Sequence, residues 1–369
     1  MHNPVGIRSL ALSFPSIIRT KDYYKEKYPE LVAQSEKKSL AKLMSLVKPT
    51  PSSEFEMEMI PYLSDPFRGM VEKRVLAPGE TSLTIEYGAA KDAIVAAKLS
   101  PRDVDLIIGC SVLPERIVYG SAAYIAAELG IQSATWNLDA TCASTPVALQ
   151  TACALVQTGM YRNILVVVSF TFSRLVDENS TLSWFFGDAA GAFLVSSLGV
   201  NQGILGTKTV NTSALCDSLY VEIEDDEQSN PQLRVKVSKS LNKVMSETAT
   251  DLLRTCCEGA VAAAGVTLDD IDFFIVNTST AWFANFCIRV LGIDPDRIIS
   301  CYPAYANIGP VLSLANLYHA AQLGKIREND LVLIYGFGAA SSACATVMRW
   351  GDVALGSAPV QGASGFAFN

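Results

Sequence analysis

Two segments of the chain repeat one local pattern at a fixed distance. Residues 104–110 and 271–276 are short apolar runs, each preceded by an alanine-rich helical stretch and an acidic turn. Each run carries an aspartate at its second position, and the two aspartates are 272 − 105 = 167 residues apart. Self-similarity at a fixed period is typical of a repeated structural unit. The sequence therefore predicts two similar α/β halves.

A second pair of landmarks recurs at nearly the same offset. Cys142 lies on a turn rich in small residues before a long apolar helix, and Asn307 lies on the matching turn 307 − 142 = 165 residues later. The strand predicted at residues 164–169 likewise matches residues 331–335. In a duplicated, mostly parallel α/β unit, corresponding strand ends and helix N-termini meet around a pseudo-twofold axis. We therefore predict that Cys142 lies close to Asn307.

Residues 20–70 interrupt the regular α/β pattern of the first half. They are charged and helix-prone at residues 22–47 and 54–60, with a Pro- and Ser-rich break between the two stretches. We expect this insertion to be a solvated surface segment, with a lid or dimer arm as the alternative. The predicted organisation is an N-terminal half at residues 1–200, containing the insertion, and a C-terminal half at residues 201–369.

Charge and cysteine usage exclude several classes of protein. The net charge is -8, with 29 Lys+Arg against 37 Asp+Glu, so no basic field exists to hold nucleic acid or an anionic membrane. The sequence has neither a secretory leader pattern nor about 18 uninterrupted apolar residues. Its nine cysteines are odd in number and lack paired C-x-x-C spacing. We expect reduced thiols in a cytoplasmic protein that binds no metal.

The local chemistry of Cys142 allows two interpretations. A thiol at the first turn of a helix lies where the helix field favours a thiolate, and small neighbours expose it to a substrate. Free cysteine is also among the most buried residue types and often serves as a small apolar side chain. The turn alone leaves both open.

Five motifs in order resemble the ketosynthase III-like enzymes (β-ketoacyl carrier-protein synthase III) of the thiolase superfamily. The resemblance covers about residues 72–350 and leaves the insertion without a clear counterpart. It implies a thiolase-like α/β fold, in which two duplicated βαβ-rich halves form a five-layered α-β-α-β-α core. The motifs are Glu72-Lys-Arg-Val-Leu-Ala-Pro-Gly-Glu-Thr-Ser82, Asp139-Ala-Thr-Cys142-Ala-Ser, Phe186-Gly-Asp-Ala-Ala-Gly191, Tyr305-Ala-Asn307-Ile-Gly and Gly336-Phe-Gly-Ala339.

The resemblance also implies a site and its substrates. Cys142 would be the nucleophile that takes an acyl group from a phosphopantetheine thioester, carried by acyl carrier protein or coenzyme A, with no permanently bound cofactor. Backbone N–H groups of Cys142, Gly338 and Ala339 would form the oxyanion hole. Asn307 would bind the thioester carbonyl of the second substrate.

The family pairs that asparagine with a histidine, which this chain lacks at the matching position. Asn277 stands there instead, 307 − 277 = 30 residues before Asn307, a separation similar to that in the family. The chain has only His2, at a terminus, and His319, on a predicted helix, and we expect His319 to be a packed or surface residue. An amide can donate to an oxyanion but cannot accept a proton at neutral pH. The predicted catalytic residues are therefore Cys142, Asn277 and Asn307.

Three functions remain open from the sequence. The first is a carbon–carbon bond-forming ketosynthase III-like enzyme of a specialised fatty-acid or polyketide pathway, with a malonyl or β-ketoacyl thioester as second substrate. The second is an acyltransferase that moves the acyl group to an oxygen, nitrogen or sulfur acceptor. The third is a weakly active subunit that partners an active paralogue. Loss of CO2 creates a carbanion without a base, which favours the first.

The resemblance extends to assembly and to three arginines. It implies a homodimer, for which we expect the strand at residues 164–169 to be the edge that pairs with the partner subunit. Arg68 and Arg74 lie near where the family receives coenzyme A, and Arg174 follows a buried strand. Each is a candidate contact for the phosphopantetheine or its phosphates, and a salt-bridged surface residue is the alternative for Arg174.

Overall fold

The computed structural model describes residues 4–45, 53–226, 228–360 and 362. The predicted break within the insertion falls almost wholly outside these residues. The strands are β1 (Val5–Ser13), β2 (Ile17–Thr20), β3 (Glu72–Val75), β4 (Leu106–Ser111), β5 (Ala134–Asn137), β6 (Ile164–Thr171), β7 (Asp188–Ser197), β8 (Gly203–Asn211), β9 (Leu219–Asp225), β10 (Pro231–Val237), β11 (Phe273–Val276), β12 (Leu331–Phe337), β13 (Ser342–Arg349) and β14 (Ala354–Leu355). The helices are α1 (Lys21–Lys27), α2 (Pro29–Ser45), α3 (Glu54–Met59), α4 (Ser82–Ala96), α5 (Ala122–Leu129), α6 (Ser144–Gln157), α7 (Leu241–Ala264), α8 (Phe283–Leu291), α9 (Tyr302–Tyr305) and α10 (Val311–Gln322).

The two main sheets repeat the same strand order. The first sheet runs β14-β1-β7-β6-β4-β5 and the second runs β11-β12-β13-β8. In the first, β4 is parallel to β6, and β6, β7 and β1 follow as antiparallel neighbours. In the second, β11 is parallel to β12, and β12, β13 and β8 follow in the same antiparallel sense. This repeat confirms the duplication predicted from the constant offset.

Helices α6 and α10 form the layer between the two sheets, because each contacts strands of both. All residues of α10 from Val311 to Ala320 are buried, as expected for a helix covered on every side. Helices α4 and α5 cover the outer face of the first sheet, and α7 covers the outer face of the second. Helix α8 packs beside α7 and shares an apolar cluster with β11, β12 and β13. The predicted five-layered α-β-α-β-α core is therefore confirmed.

The predicted division into two halves stays a prediction, whereas the predicted sheet edge is wrong. The division of the chain at residue 200 stays a prediction, and strand β14, from the C-terminal part, pairs with β1 of the first sheet. The expectation that residues 164–169 form a free edge is wrong, because β6 is hydrogen-bonded on both sides, to β4 and to β7. The end strand of that sheet is β5, which pairs with β4.

The insertion is more than a solvated surface segment. Helix α3 packs against α7 and α8, and its side chains Phe55 and Met59 are buried. The 3-10 helix that follows, Ile60–Ser64, buries Leu63 in the same apolar cluster. The surface expectation therefore fails for this part of the insertion.

Within the described ranges, no helix has the length and apolar character needed to cross a bilayer.

Candidate active site

Cys142 lies in a single 3-10 turn, Thr141–Ala143, directly before α6. Thr141 adopts a left-handed backbone conformation with φ 48°, which is uncommon for a β-branched residue. Its N–H donates to Asp139 Oδ1 at 2.8 Å, and its Oγ1 donates to the carbonyl of Ala339 at 3.3 Å. The turn is thus tied to both halves of the protein, and it presents the thiol at a helix N-terminus as the sequence predicted.

Two opposing influences act on the thiol of Cys142, which is partly buried. Burial, and to a smaller extent the negative charge of Asp139, raises the pKa of Cys142 to about 12. The N-terminus of α6 acts in the opposite direction, because a helix N-terminus stabilises an anion by about 0.3–2 kcal/mol. The surroundings of the thiol and the field of the helix therefore act in opposite directions on the pKa of Cys142.

Cys142 and Asn307 both line one cavity of about 400 Å³. The sequence-predicted pair is therefore brought together, and Ala339 lines the same cavity. Most of the remaining wall is apolar, and Arg68 is the one charged side chain among the described lining residues. An apolar cavity with a few polar groups around a nucleophile is the usual form of a small-molecule site.

The side chain of Asn307 is oriented by its own loop. Its Oδ1 accepts the N–H of Gly309 at 2.8 Å, which leaves the NH2 group as the donor of this side chain at the cavity. The backbone is fixed as well, because the N–H of Asn307 donates to Phe185 O at 2.9 Å and its carbonyl accepts the N–H of Gly187 at 3.1 Å. The preceding Ala306 has φ 55°. Asn307 is thus a preorganised hydrogen-bond donor.

Asn277 has a different environment from the one expected. It follows β11, is 1% exposed and is not among the residues that line the cavity. Its Nδ2 donates to the backbone carbonyls of Cys142 at 3.2 Å and Gly309 at 2.7 Å, which uses both amide hydrogens. The expectation that Asn277 donates to a substrate oxyanion is therefore corrected. In this geometry it joins the Cys142 turn to the Asn307 loop.

The backbone donors expected for the oxyanion hole are also partly engaged. The N–H of Gly338 donates to Ser342 O at 2.9 Å, so it is used inside its own turn. The carbonyl of Gly338 accepts the hydroxyl of Thr212. Gly338 therefore shapes the turn, and Cys142 and Ala339 are the two predicted backbone donors that line the cavity.

The three candidate arginines separate in space. Arg68 lines the cavity, and burial lowers the pKa of its guanidinium. Arg74 is buried in β3 and donates to Val360 O at 2.7 Å. Arg174 pairs with Glu115 at 2.7 Å. Of the three, only Arg68 is placed where a substrate in this cavity would meet it.

The described histidine is not part of this site. His319 is buried on α10, where Nε2 lies 2.9 Å from the hydroxyl of Tyr305. Burial lowers the pKa of His319 to about 4, so the ring is neutral at pH 7. It does not line the cavity, which confirms the expectation of a packed residue. His2 lies outside the described residues.

Sequence reasoning missed a buried lysine that supports the cavity wall. Lys73 is 1% exposed, and its ammonium donates to the carbonyls of Ser183 and Phe186, the latter at 2.8 Å. Burial lowers the pKa of Lys73 to about 7, while Asp188 acts in the opposite direction. Phe186 lines the cavity. The sequence shows this lysine within the motif that begins at Glu72. Only the structure shows that every residue of its strand, β3, is buried.

It also missed the part of the wall that comes from the insertion. Phe55, Met59 and Leu63 line the cavity, and their spacing of four residues was visible as an apolar stripe.

In the described part of the chain, no group of three or more His, Cys, Asp or Glu side chains is arranged to hold a metal ion. All nine cysteines are free thiols.

Known protein families match both halves of this chain. Residues 136–213 match 3-oxoacyl-acyl-carrier-protein synthase III, and residues 261–350 match the C-terminal part of the same family. The β-ketoacyl-acyl-carrier-protein synthase III of Microcystis aeruginosa is 30% identical over 313 residues, which cover 81% of this chain and 93% of that protein. The enzyme of the same name from Porphyra purpurea is 30% identical over 289 residues, covering 76% of this chain and 88% of that protein.

Solved structures agree in fold. β-Ketoacyl-acyl-carrier-protein synthase III from Thermus thermophilus superimposes with a TM-score of 0.75, at 22% identity, over 94% of this chain and 99% of that one. OleA from Xanthomonas campestris, solved with lauric acid and lauroyl-CoA, gives 0.74 at 16% identity, over 95% of this chain and 100% of that one. The sequence matches show that the chain belongs to the 3-oxoacyl-acyl-carrier-protein synthase III family, and the solved structures show that it has the thiolase-like fold of that family.

Proposed function

We propose that this protein is a ketosynthase III-like condensing enzyme of a specialised fatty-acid or polyketide pathway. Cys142 takes an acyl group from a phosphopantetheine thioester, on coenzyme A or an acyl carrier protein. The enzyme then joins that group to the carbanion that a malonyl thioester forms when it loses CO2, which gives a β-ketoacyl thioester and frees the Cys142 thiol. A covalent thioester keeps the acyl group activated while the first carrier leaves and the second substrate enters.

The observation that carries the proposal is the shared cavity of Cys142 and Asn307. The thiol and an oriented amide donor line one apolar space of about 400 Å³. Asn307, with the backbone N–H groups of Cys142 and Ala339, supplies donors for a thioester carbonyl that becomes an oxyanion or enolate. Removing one such donor typically costs about 10²–10³ in kcat.

The side chains around the cavity favour condensation over transfer to a hydroxyl. Among the described residues that line the cavity there is no Asp, Glu, His or Lys, and position 277 carries an amide. Decarboxylation of a malonyl group generates its own carbanion, whereas an alcohol acceptor must give up a proton to a general base. General-base chemistry usually contributes about 10²–10⁴-fold.

Two further features belong to this proposal. Arg68 is a cationic contact for the phosphates of coenzyme A or of a carrier-bound phosphopantetheine. The enzyme acts as a homodimer, and the end strand β5, largely exposed, provides an unpaired sheet edge for a second copy. Size-exclusion chromatography with light scattering tests the dimer, and a monomer at micromolar concentration contradicts it.

Intact-mass spectrometry tests the covalent step. Wild type and Cys142→Ala are incubated with a panel of acyl-CoA and acyl-carrier-protein thioesters. The proposal expects an acyl adduct on wild type that is absent from Cys142→Ala. Equal adducts on both proteins would refute Cys142 as the nucleophile.

Addition of malonyl thioesters to the acylated protein then separates the possible reactions. A β-keto product with loss of CO2 supports condensation. Product without loss of CO2, in the presence of an alcohol, amine or thiol, supports an acyltransferase instead. An acyl adduct that no acceptor discharges supports a weakly active subunit that needs a partner.

A further inference from the structure

We infer that the insertion determines which thioesters this enzyme accepts, because three of its side chains form one wall of the cavity. The inference rests on the proposed function of the same cavity. It assigns to Phe55, Met59 and Leu63 direct contact with an apolar stretch of the bound thioester. The insertion is then a specificity element of the enzyme.

The three side chains form a single stripe that turns toward Cys142. Phe55 and Met59 lie one helical turn apart on α3, and Leu63 continues the spacing on the following 3-10 helix. All three are buried, at 4%, 9% and 2% exposure, and all three line the cavity that contains Cys142. Met57 lies on the same short helix but is 39% exposed and does not line the cavity. The helix therefore presents one face to the cavity and another to solvent.

The stripe is fixed to the body of the enzyme at its N-terminal end. Phe55 makes edge contacts with the rings of Trp282 and Phe286, at centroid distances of 6.4 and 5.6 Å. The hydroxyl of Ser53 lies 2.6 Å from that of Ser246 on α7. Glu58 pairs with Arg289 of α8 at 2.5 Å. These contacts hold α3 in a fixed position as one wall of the cavity.

The C-terminal end of the stripe is fixed as well. Asp65 accepts the N–H groups of Phe67 and Gly69, at 2.9 and 2.8 Å, which closes the chain into a tight turn after Leu63. Gly69 has φ 85°, and a Cβ there would lie 2.6 Å from the Cβ of Ala281. Arg68, between these residues, lines the cavity. The insertion thus places an apolar wall and one cation next to each other.

This arrangement fits a thioester with an apolar stretch and an anionic head. Two parts of the substrate can supply the apolar stretch, namely the acyl chain and the hydrocarbon of the pantetheine arm. The shared requirement is apolar contact with Met59 and its neighbours. A series of acyl chains on one carrier distinguishes the two sources, because only an acyl-chain contact depends on chain length.

The experiment measures binding without chemistry. In a Cys142→Ala background, isothermal titration calorimetry gives the Kd of coenzyme A and of hexanoyl-, decanoyl- and tetradecanoyl-CoA. Met59→Ala is compared with Met57→Ala, which removes the same side chain from the solvent face of the same helix. We expect Met59→Ala to change Kd by about tenfold for at least one ligand, and Met57→Ala to leave each within about twofold.

The outcomes distinguish the acyl chain from the pantetheine arm, and they test this inference separately from the proposed function. An effect that varies with chain length assigns the wall to the acyl chain, and an equal effect on all four ligands assigns it to the pantetheine arm. If Met59→Ala does not fold, Met59→Gln, which keeps the length but adds a polar group, replaces it with the same expectation. Equal Kd values for the Met59 and Met57 variants, or no binding by the parent, overturn the inference. Acylation of wild-type Cys142 in the mass assay is scored separately and decides the proposed function alone.

Discussion

The side-chain amide of Asn277 donates a hydrogen bond of 3.2 Å to the backbone carbonyl of Cys142. The same nitrogen donates to the carbonyl of Gly309 at 2.7 Å, two residues after Asn307. One buried amide therefore holds the nucleophile's turn against the loop that carries the amide donor of the site. The cavity depends on this link, since its two functional loops come from different halves of the chain.

Replacement of Asn277 by histidine is expected to slow acylation of Cys142. A neutral imidazole carries one N–H and can hold only one of the two carbonyls. Loss of one such bond, at about 1 kcal/mol, corresponds to a rate decrease of roughly five- to tenfold. Intact-mass kinetics with one acyl-CoA measure the effect. A rate above that of wild type would mean that the amide is a degraded substitute for a base.

The positioning role of Asn277 has a matched control in Asn316. That residue is also a fully buried asparagine, and it donates to the carbonyl of Val276 at 2.8 Å. Replacement of either by alanine is expected to lower the free energy of unfolding by about 2–3 kcal/mol. Asn277→Ala is expected to change the alkylation rate of Cys142 more than Asn316→Ala does, because Asn277 contacts the turn directly. Asn316 acts on it only through Val276 and Thr278, the neighbours of Asn277.

Cys142 is expected to react faster with every increase in pH up to the limit of the folded protein. With a pKa of about 12, the thiolate fraction at pH 8 is about 10⁻⁴ and rises tenfold per pH unit. Iodoacetamide alkylation, followed by intact mass between pH 7 and 10, should therefore give a line of unit slope without a plateau. A plateau near neutral pH would show an activated thiolate.

Asp139 provides the control for this pH dependence. Its charge raises the pKa of Cys142, whereas its Oδ1 also accepts the N–H of Thr141. Asp139→Asn keeps an acceptor oxygen and removes the charge, so alkylation at pH 8 should become several-fold faster. An unchanged rate would mean that burial alone sets the pKa.

Arg68 is expected to bind the charged end of the thioester. Arg68→Met should weaken the binding of acyl-CoA by about tenfold and reduce its dependence on salt concentration. The corresponding N-acetylcysteamine thioester has no phosphates, so its kinetics should change little. Arg174→Met is the control, because Arg174 pairs with Glu115 away from the cavity. Equal effects on both thioesters would assign Arg68 to the shape of the wall.

Much of the fold could be predicted from the sequence because duplication leaves a periodic record. The constant offset matched β4 with β11 and β6 with β12, and it placed Cys142 opposite Asn307. The edge strand was harder, because fully buried and half-buried strands look alike as short apolar runs. Strand β6 is an interior strand whose residues are all buried, whereas β5 is largely exposed. This difference can be recognised only when the neighbours of each strand in the sheet are known.

The details of the site depend on distances that a sequence does not encode locally. Both hydrogen bonds of Asn277 connect loops that are far apart in the chain. The residue type alone therefore predicted a hydrogen-bond donor but did not identify the carbonyls that accept from it. The sign of the pKa change at Cys142 depends on how completely the tertiary structure buries the thiol. The insertion was predicted to be a solvated surface segment, and only the fold shows that Phe55, Met59 and Leu63 face the cavity.

Asn307 is expected to act on the second half-reaction more than on the first. Its NH2 group is the side-chain donor at the cavity, and its orientation is fixed by the N–H of Gly309 at 2.8 Å. Asn307→Ala should lower the rate of product formation from a malonyl thioester by about 10²–10³, while the acyl adduct on Cys142 still forms. Asn307→Asp should be at least as damaging, because a carboxylate removes the donor and repels the enolate. Single-turnover mixing of pre-acylated enzyme with malonyl thioester measures this step directly. If both variants instead lose acylation and keep the discharge rate of any adduct that forms, Asn307 serves the first carbonyl, and the enolate must be stabilised by the backbone donors at Cys142 and Ala339.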